Sequence, residues 1–168
     1  NKTAAVENQR LRQLLGFKNT HNYKIIPANV IGHDIDRVIN SLILDVGSKE
    51  GVRKYMAVVT AEGLVGRIIE VFPHSCNVQL IMDYNSRISA FINSIKPIEG
   101  IVRWEGGEYL RIYGIEHLSR PVPGQEVFTT GVGGTFPAGL LIGTVSEKNI
   151  ENVTVYASIN IIPAVEFD

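Results

Sequence analysis

Apolar residues along this chain fall into many short runs separated by glycines and other turn residues. From Tyr23 onward the runs have the length and alternation of β-strands. They are Tyr23–His33 with Pro27 marking a bend, Ile39–Val46, Met56–Thr60, Leu64–Val71, Val78–Met82 and Arg87–Ile92. Ile101–Trp104, Tyr109–Tyr113, Glu126–Thr130, Leu140–Glu147 and Val153–Ile162 follow. This spacing predicts a mainly β protein, and the count suits two small β-barrels of about five or six strands each. Residues 1–16 follow another period. With Asn1, Asn8 and Leu15 at heptad position a, Ala4 and Leu11 fall at d. That register predicts one N-terminal α-helix ending a two-stranded coiled coil, with Ala4, Asn8, Leu11 and Leu15 as self-association residues. A short amphipathic helix docked on its own barrel fits the same period.

One strand–turn–strand unit is used twice. Val58-Val59-Thr60 matches Val127-Phe128-Thr129, Gly63-Leu64 matches Gly139-Leu140, and Gly66-x-Ile68 matches Gly143-x-Val145. The second copy carries an insertion, "TGVGGTFPA", before Gly139. Gly131, Gly133 and Gly134 in it read as backbone turn positions, as do Gly63, Gly66, Gly139 and Gly143 around it. Two related β units follow from this repeat. A join at Lys96-Pro97 divides the chain into 1–22 (helix), 23–95 (first barrel) and 96–168 (second barrel). If strand 23–33 pairs with the second unit instead, 37–95 becomes an inserted barrel.

Composition narrows the class. A chain of 168 residues with 45% apolar and 20% charged residues is globular. Its longest apolar runs are about five or six residues, far short of the roughly 20 that cross a bilayer. The chain begins without Met inside a polar helical pattern and reads as a soluble piece of a longer protein. Residues 1–24 hold five basic groups and one acidic group, leaving 11 basic and 16 acidic groups in the remainder. A basic end can lie near an anionic membrane surface. The near-neutral total and the acidic β region speak against nucleic acid as a partner. The single cysteine, Cys76, forbids an internal disulfide and reads as a small buried side chain.

The residues offer little catalytic apparatus. A serine-protease site needs an exposed Ser in a Gly-rich turn, with a His base and an orienting carboxylate. The matching turn carries Val132 at that place, beside the hydroxyls of Thr129, Thr130 and Thr135, with His33 and Asp45 or Asp83 as the available base and orienter. No serine has the sequence context of a nucleophile. His21, His33, His74 and His117 lack metal-ligand spacing. "GVGG" precedes a strand and lacks the Gly-Lys-Ser/Thr of a phosphate loop. The expectation is no enzyme, no metal and no cofactor. For an interaction protein, anchors are aromatic groups presented by turns. Phe136 in the long glycine loop stands first, then Tyr55, Phe72 and Trp104. Trp104 and Tyr109 flank "EGGE" and are expected to meet across a hairpin.

The stretches "ENQRLRQLL", "ANVIG", "LILDVGSKEGV", "MAVVTAEGLVGRIIEV", "LIMDYNSRI" and "FTTGVGGTFPAGLLIGTV", in this order, resemble the bacterial rod-shape-determining MreC family. The resemblance covers nearly the whole chain from about Ala28. It implies a membrane-spanning helix before residue 1, then a periplasmic coiled coil and two barrels paired as in the chymotrypsin fold without its chemistry. It further implies a non-enzymatic, membrane-anchored scaffold of the cell-wall elongation machinery that forms dimers or filaments. Its implied partners are a class B penicillin-binding transpeptidase, MreD, RodZ and the MreB system. Two other readings fit parts of the pattern. One is a periplasmic barrel adaptor of an envelope transport assembly, although the long helical hairpin of such adaptors is absent. The other is a catalytically inactive relative of chymotrypsin-like proteases.

Overall fold

The computed structural model describes residues 24–35, 40–116, 119–134, 136–147 and 158–167. The coiled-coil residues Ala4, Asn8, Leu11 and Leu15 lie outside them. Eleven antiparallel strands are described, in two groups. The first group is β1 (Val30–Ile35), β2 (Asn40–Leu44), β3 (Ala57–Val59), β4 (Leu64–Val71) and β5 (Cys76–Leu80). It forms a five-stranded sheet in the order β1-β2-β5-β4-β3. The second group is β6 (Ile88–Ile92), β7 (Ile98–Arg103), β8 (Leu110–Tyr113), β9 (Glu126–Thr129), β10 (Leu141–Val145) and β11 (Ile159–Pro163). It closes into a six-stranded barrel in the order β10-β11-β8-β7-β6-β9. Closure removes the open edges that would otherwise invite pairing with other chains.

Sheet membership differs from a split at 95/96. β6 precedes that point, yet it hydrogen-bonds to β7 and to β9 and so is a stave of the barrel. The reason is that Lys96-Pro97 lies in the short β6–β7 hairpin, where proline is a turn residue rather than a linker. The chain crosses between the groups earlier, in the turn 81–87. Strand β1 pairs with β2, so the chain enters through the five-stranded sheet.

Alternation explains both cores. In β5 and β6 every second residue is buried. The barrel interior holds Ile88, Ala90, Ile92, Val102, Leu110, Ile112, Val127, Ile142, Val145 and Ile161. Each fully buried aliphatic side chain contributes about 1.5–3 kcal/mol by leaving water. A smaller core under the sheet contains Leu44, Val52, Ile68, Cys76 and Val78. Cys76 is thus an internal packing residue, and burial pushes its thiol pKa up.

The two copies of the repeat occupy equivalent places. Val58 sits opposite Gly66 in the β3–β4 pair, as Val127 sits opposite Gly143 in the β9–β10 pair. Both pairs carry a register shift near the glycine. Both glycines also face a carbonyl of the next strand. A Cβ on Gly66 would strike the Gln79 oxygen, and one on Gly143 the Ile162 oxygen.

The two groups are joined by apolar packing and by a hydrogen-bonded carboxylate. Leu64 of β4 is buried in the barrel's own core cluster, with Ala57 and Val59 packed against that cluster. Asp83, in the crossing turn, is 1% exposed. Its carboxylate accepts from the Asn40 backbone N–H (2.9 Å), Gln79 Nε2 (2.9 Å) and the Asn85 backbone N–H (3.1 Å). Asn40 Nδ2 donates to the Met82 carbonyl oxygen at 2.6 Å. A buried carboxylate is tolerated only when its oxygens are satisfied in this way. Asp83 therefore fixes the crossing turn to the start of β2 and the end of β5.

Candidate protein-interaction surface

The glycine loop after β9 is folded back onto the barrel. Thr129, fully buried, donates its hydroxyl to the Pro137 carbonyl oxygen (2.6 Å) and accepts from the Leu140 N–H (2.9 Å). Thr130 Oγ1 meets Ser89 Oγ at 2.7 Å and accepts the Val132 N–H at 3.1 Å. These hydroxyls clasp a loop. The consequence for Phe136 is a correction. It is 7% exposed and belongs to the barrel's core cluster, so it is no surface anchor in this fold. The exposed apolar side chain of the loop is Val132.

The other three aromatics lie elsewhere. Phe72 is 42% exposed in the turn after β4. Its backbone is held at both ends, because its N–H donates to the Ser75 oxygen (2.8 Å) and its oxygen accepts from the Ser48 N–H (2.9 Å). Trp104 follows the end of β7, and its ring meets Tyr84 at 4.7 Å between centroids rather than Tyr109. The ladder stops at Arg103–Arg111, so Trp104 is free to turn toward the crossing turn. Its Nε1 donates to the Gly107 oxygen at 3.0 Å. Tyr84 is itself exposed, and nothing in the alternation pattern marks it, since it sits in a polar turn.

Tyr55 is the most unusual of the set. It is the third residue of the turn Arg53–Met56, closed by the Met56 N–H to the Arg53 oxygen at 3.3 Å. Its φ is 73°, and every other positive φ among the described residues belongs to glycine. Turns with positive φ at that position ordinarily use Gly or Asn, and a bulky side chain there costs on the order of 1–3 kcal/mol. The Tyr55 N–H is bonded to the Ile68 oxygen at 2.7 Å, which ties the turn to β4. Tyr55 as a whole is 52% exposed. Lys54 Nζ lies 5.1 Å from its centroid and Arg67 Cζ 5.3 Å, both within cation–π range. Arg67 is in turn oriented by Gln79, whose Oε1 accepts from its Nε at 3.1 Å. Sequence reasoning singled out Tyr55 but neither cation. Arg67 reaches it only through the pairing of β3 with β4.

Among the described residues, no group of three or more His, Cys, Asp or Glu side chains is placed to hold a metal ion. His33 lies on β1, and Asp45 is engaged at the end of β2. The Asn29 N–H and Nδ2 donate to the Asp45 carboxylate at 2.7 and 3.1 Å, and the backbone bond first of all holds its pKa below the usual value.

A closed barrel beside a five-stranded sheet, with exposed aromatic groups on turns and cations on a turn and on β4, defines a mainly β protein of the barrel-and-sheet class. The family described as "Rod shape-determining protein MreC, barrel core" matches residues 30–168, and the chain belongs to that family. The "Cell shape-determining protein MreC" of Listeria monocytogenes is 29% identical over 152 residues, covering 88% of this chain and 52% of that protein. A solved chain named MreC superposes with a TM-score of 0.83 at 26% identity, covering 97% of this chain and 93% of that one. A solved "Complex between Penicillin-Binding Protein (PBP2) and MreC from Helicobacter pylori" shares the fold at a TM-score of 0.63 and 20% identity, covering 80% and 83%. This chain spans about half the length, or less, of the curated relatives it matches, 52% of the Listeria protein and 39% of that of Caulobacter vibrioides among them.

Proposed function

We propose that this chain is the periplasmic β region of a non-enzymatic cell-shape scaffold that binds a class B penicillin-binding transpeptidase. The observation that carries the reading is the family match across residues 30–168, which takes in every described strand. The Helicobacter pylori complex supports the choice of partner, because a protein of the same fold is bound there to a penicillin-binding protein. Two of the groups a protease could draft carry structural bonds instead, Thr129 in the loop and Asp83 at the junction, which favours the non-enzymatic reading. No helix among the described residues is long and apolar enough to cross a membrane. In this reading the anchor is a helix preceding residue 1. Residues 1–22 are the end of a coiled coil that dimerises through Ala4, Asn8, Leu11 and Leu15. The five-stranded sheet is the counterpart of a first, incompletely closed barrel, with the domain division at 81–87. Contacts with MreD, RodZ and the MreB system belong to the same reading.

The test is a titration of the purified chain against the class B penicillin-binding protein of its own bacterium, followed by biolayer interferometry. Saturable binding with Kd on the order of micromolar is expected for an interface of modest size. No binding at about a hundred times that concentration would contradict the reading.

A further inference from the structure

We propose that the Arg53–Met56 turn together with Arg67 is a docking surface for an acidic segment of a protein partner. Four observations converge on it. Tyr55 keeps a backbone conformation (φ 73°) that glycine would adopt freely, while the residue stands half exposed. A bulky residue held at such a position marks a site where the side chain itself is required. Lys54 and Arg67 flank the ring at 5.1 and 5.3 Å, and Arg53 is exposed at the start of the same turn. Among the described residues none of Arg53, Lys54 and Arg67 makes a direct ion pair, and the Asp83 carboxylate reaches Arg67 only through Gln79. Residues 25–168 carry 11 basic and 16 acidic groups, so these three cations gather on an otherwise acidic region.

The chemistry selects the occupant. Gln79 holds Arg67 Nε, which leaves its two terminal nitrogens to meet a carboxylate as a fork. Tyr55 and the part-exposed Met56 add an apolar floor for a side chain lying between two acidic ones. An anionic lipid surface is the poorer match, because polybasic lipid-binding segments use about four to eight Lys or Arg residues. The proposal deepens the scaffold reading and rests on it for the partner being a protein of the assembly.

The test uses the 168-residue chain and a fluorescein-labelled oligoglutamate peptide with one central Phe, followed by anisotropy. A peptide with Gln in place of Glu and vesicles of phosphatidylglycerol and phosphatidylcholine in equal parts run in parallel. The glutamate peptide is expected to bind with an affinity that falls as salt rises. Tyr55→Gly and Lys54→Gln each weaken it by about tenfold. The thermal midpoint of Tyr55→Gly stays level or rises, because glycine relieves the strained φ. Unchanged peptide affinity in a folded Tyr55→Gly variant overturns the proposal. So does vesicle binding that depends on Lys54 and Tyr55 while the peptide fails to bind. The two readings separate cleanly. Loss of peptide binding in the variants beside a wild-type chain that ignores the penicillin-binding protein supports the surface and sinks the partner assignment. Intact capture of that protein by a Tyr55→Gly chain with unaltered peptide affinity does the reverse.

Discussion

Adding one methyl group at Gly143 or at Gly66 is expected to lower the unfolding free energy by roughly 3 kcal/mol or more, the range of severe overpacking. Gly133→Ala should cost only about 1 kcal/mol, from its left-handed backbone. The contrast comes from what a Cβ would meet. At Gly143 and Gly66 it is a backbone carbonyl of the adjacent strand, Ile162 or Gln79, which cannot move without breaking the ladder. At Gly133 nothing lies within 4 Å, and only the φ of 86° opposes the change. Urea unfolding of the three variants decides the matter. Equal losses at all three positions would show that backbone conformation, not close strand approach, is what these glycines supply.

Phe136→Ala carries the second large effect, a loss of about 3–4 kcal/mol from the transfer and cavity terms of a buried aromatic ring. Val132→Ala, four residues earlier in the same loop but 71% exposed, should stay within about 0.5 kcal/mol. Calorimetry or urea unfolding measures both. If Phe136 were instead a docking residue, its removal would leave stability near wild type and weaken partner binding. The folded fraction of Phe136→Ala is expected to bind as wild type does, because the ring lies in the core cluster with Leu140 and Ile142.

Strand positions were legible because alternation is a local signal. Ile88–Ile92 and Glu126–Thr129 lie where the period-two pattern places them. The repeat was legible for a similar reason, since glycines that permit close strand approach cannot be exchanged for other residues, and the structure pairs them with equivalent partners. What remained hidden depends on distant hydrogen bonds. The burial of Phe136 follows from the Thr129 clasp to Pro137 and Leu140, across an 11-residue span. A strand such as β6 reveals its sheet only through pairing with β7 and β9, so a proline between β6 and β7 looked like a boundary. Trp104 and Tyr109 looked like hairpin neighbours because the ladder's last pair, Arg103–Arg111, could not be placed from the turn alone. Of the interaction surface, an exposed Tyr in a turn was readable. Its positive φ and its two cations were not, because one depends on a backbone angle and Arg67 comes from another strand.

The most direct measurement of the central claim is cell shape. In the bacterium that makes this protein, an in-frame deletion of the coding region for residues 24–168 is expected to turn rods into round cells within a few generations. Re-expression of the whole gene should restore rods, and a whole-gene copy carrying Gly143→Ala should restore them less well as temperature rises. Cells that keep their rod shape and width without the region would contradict the account.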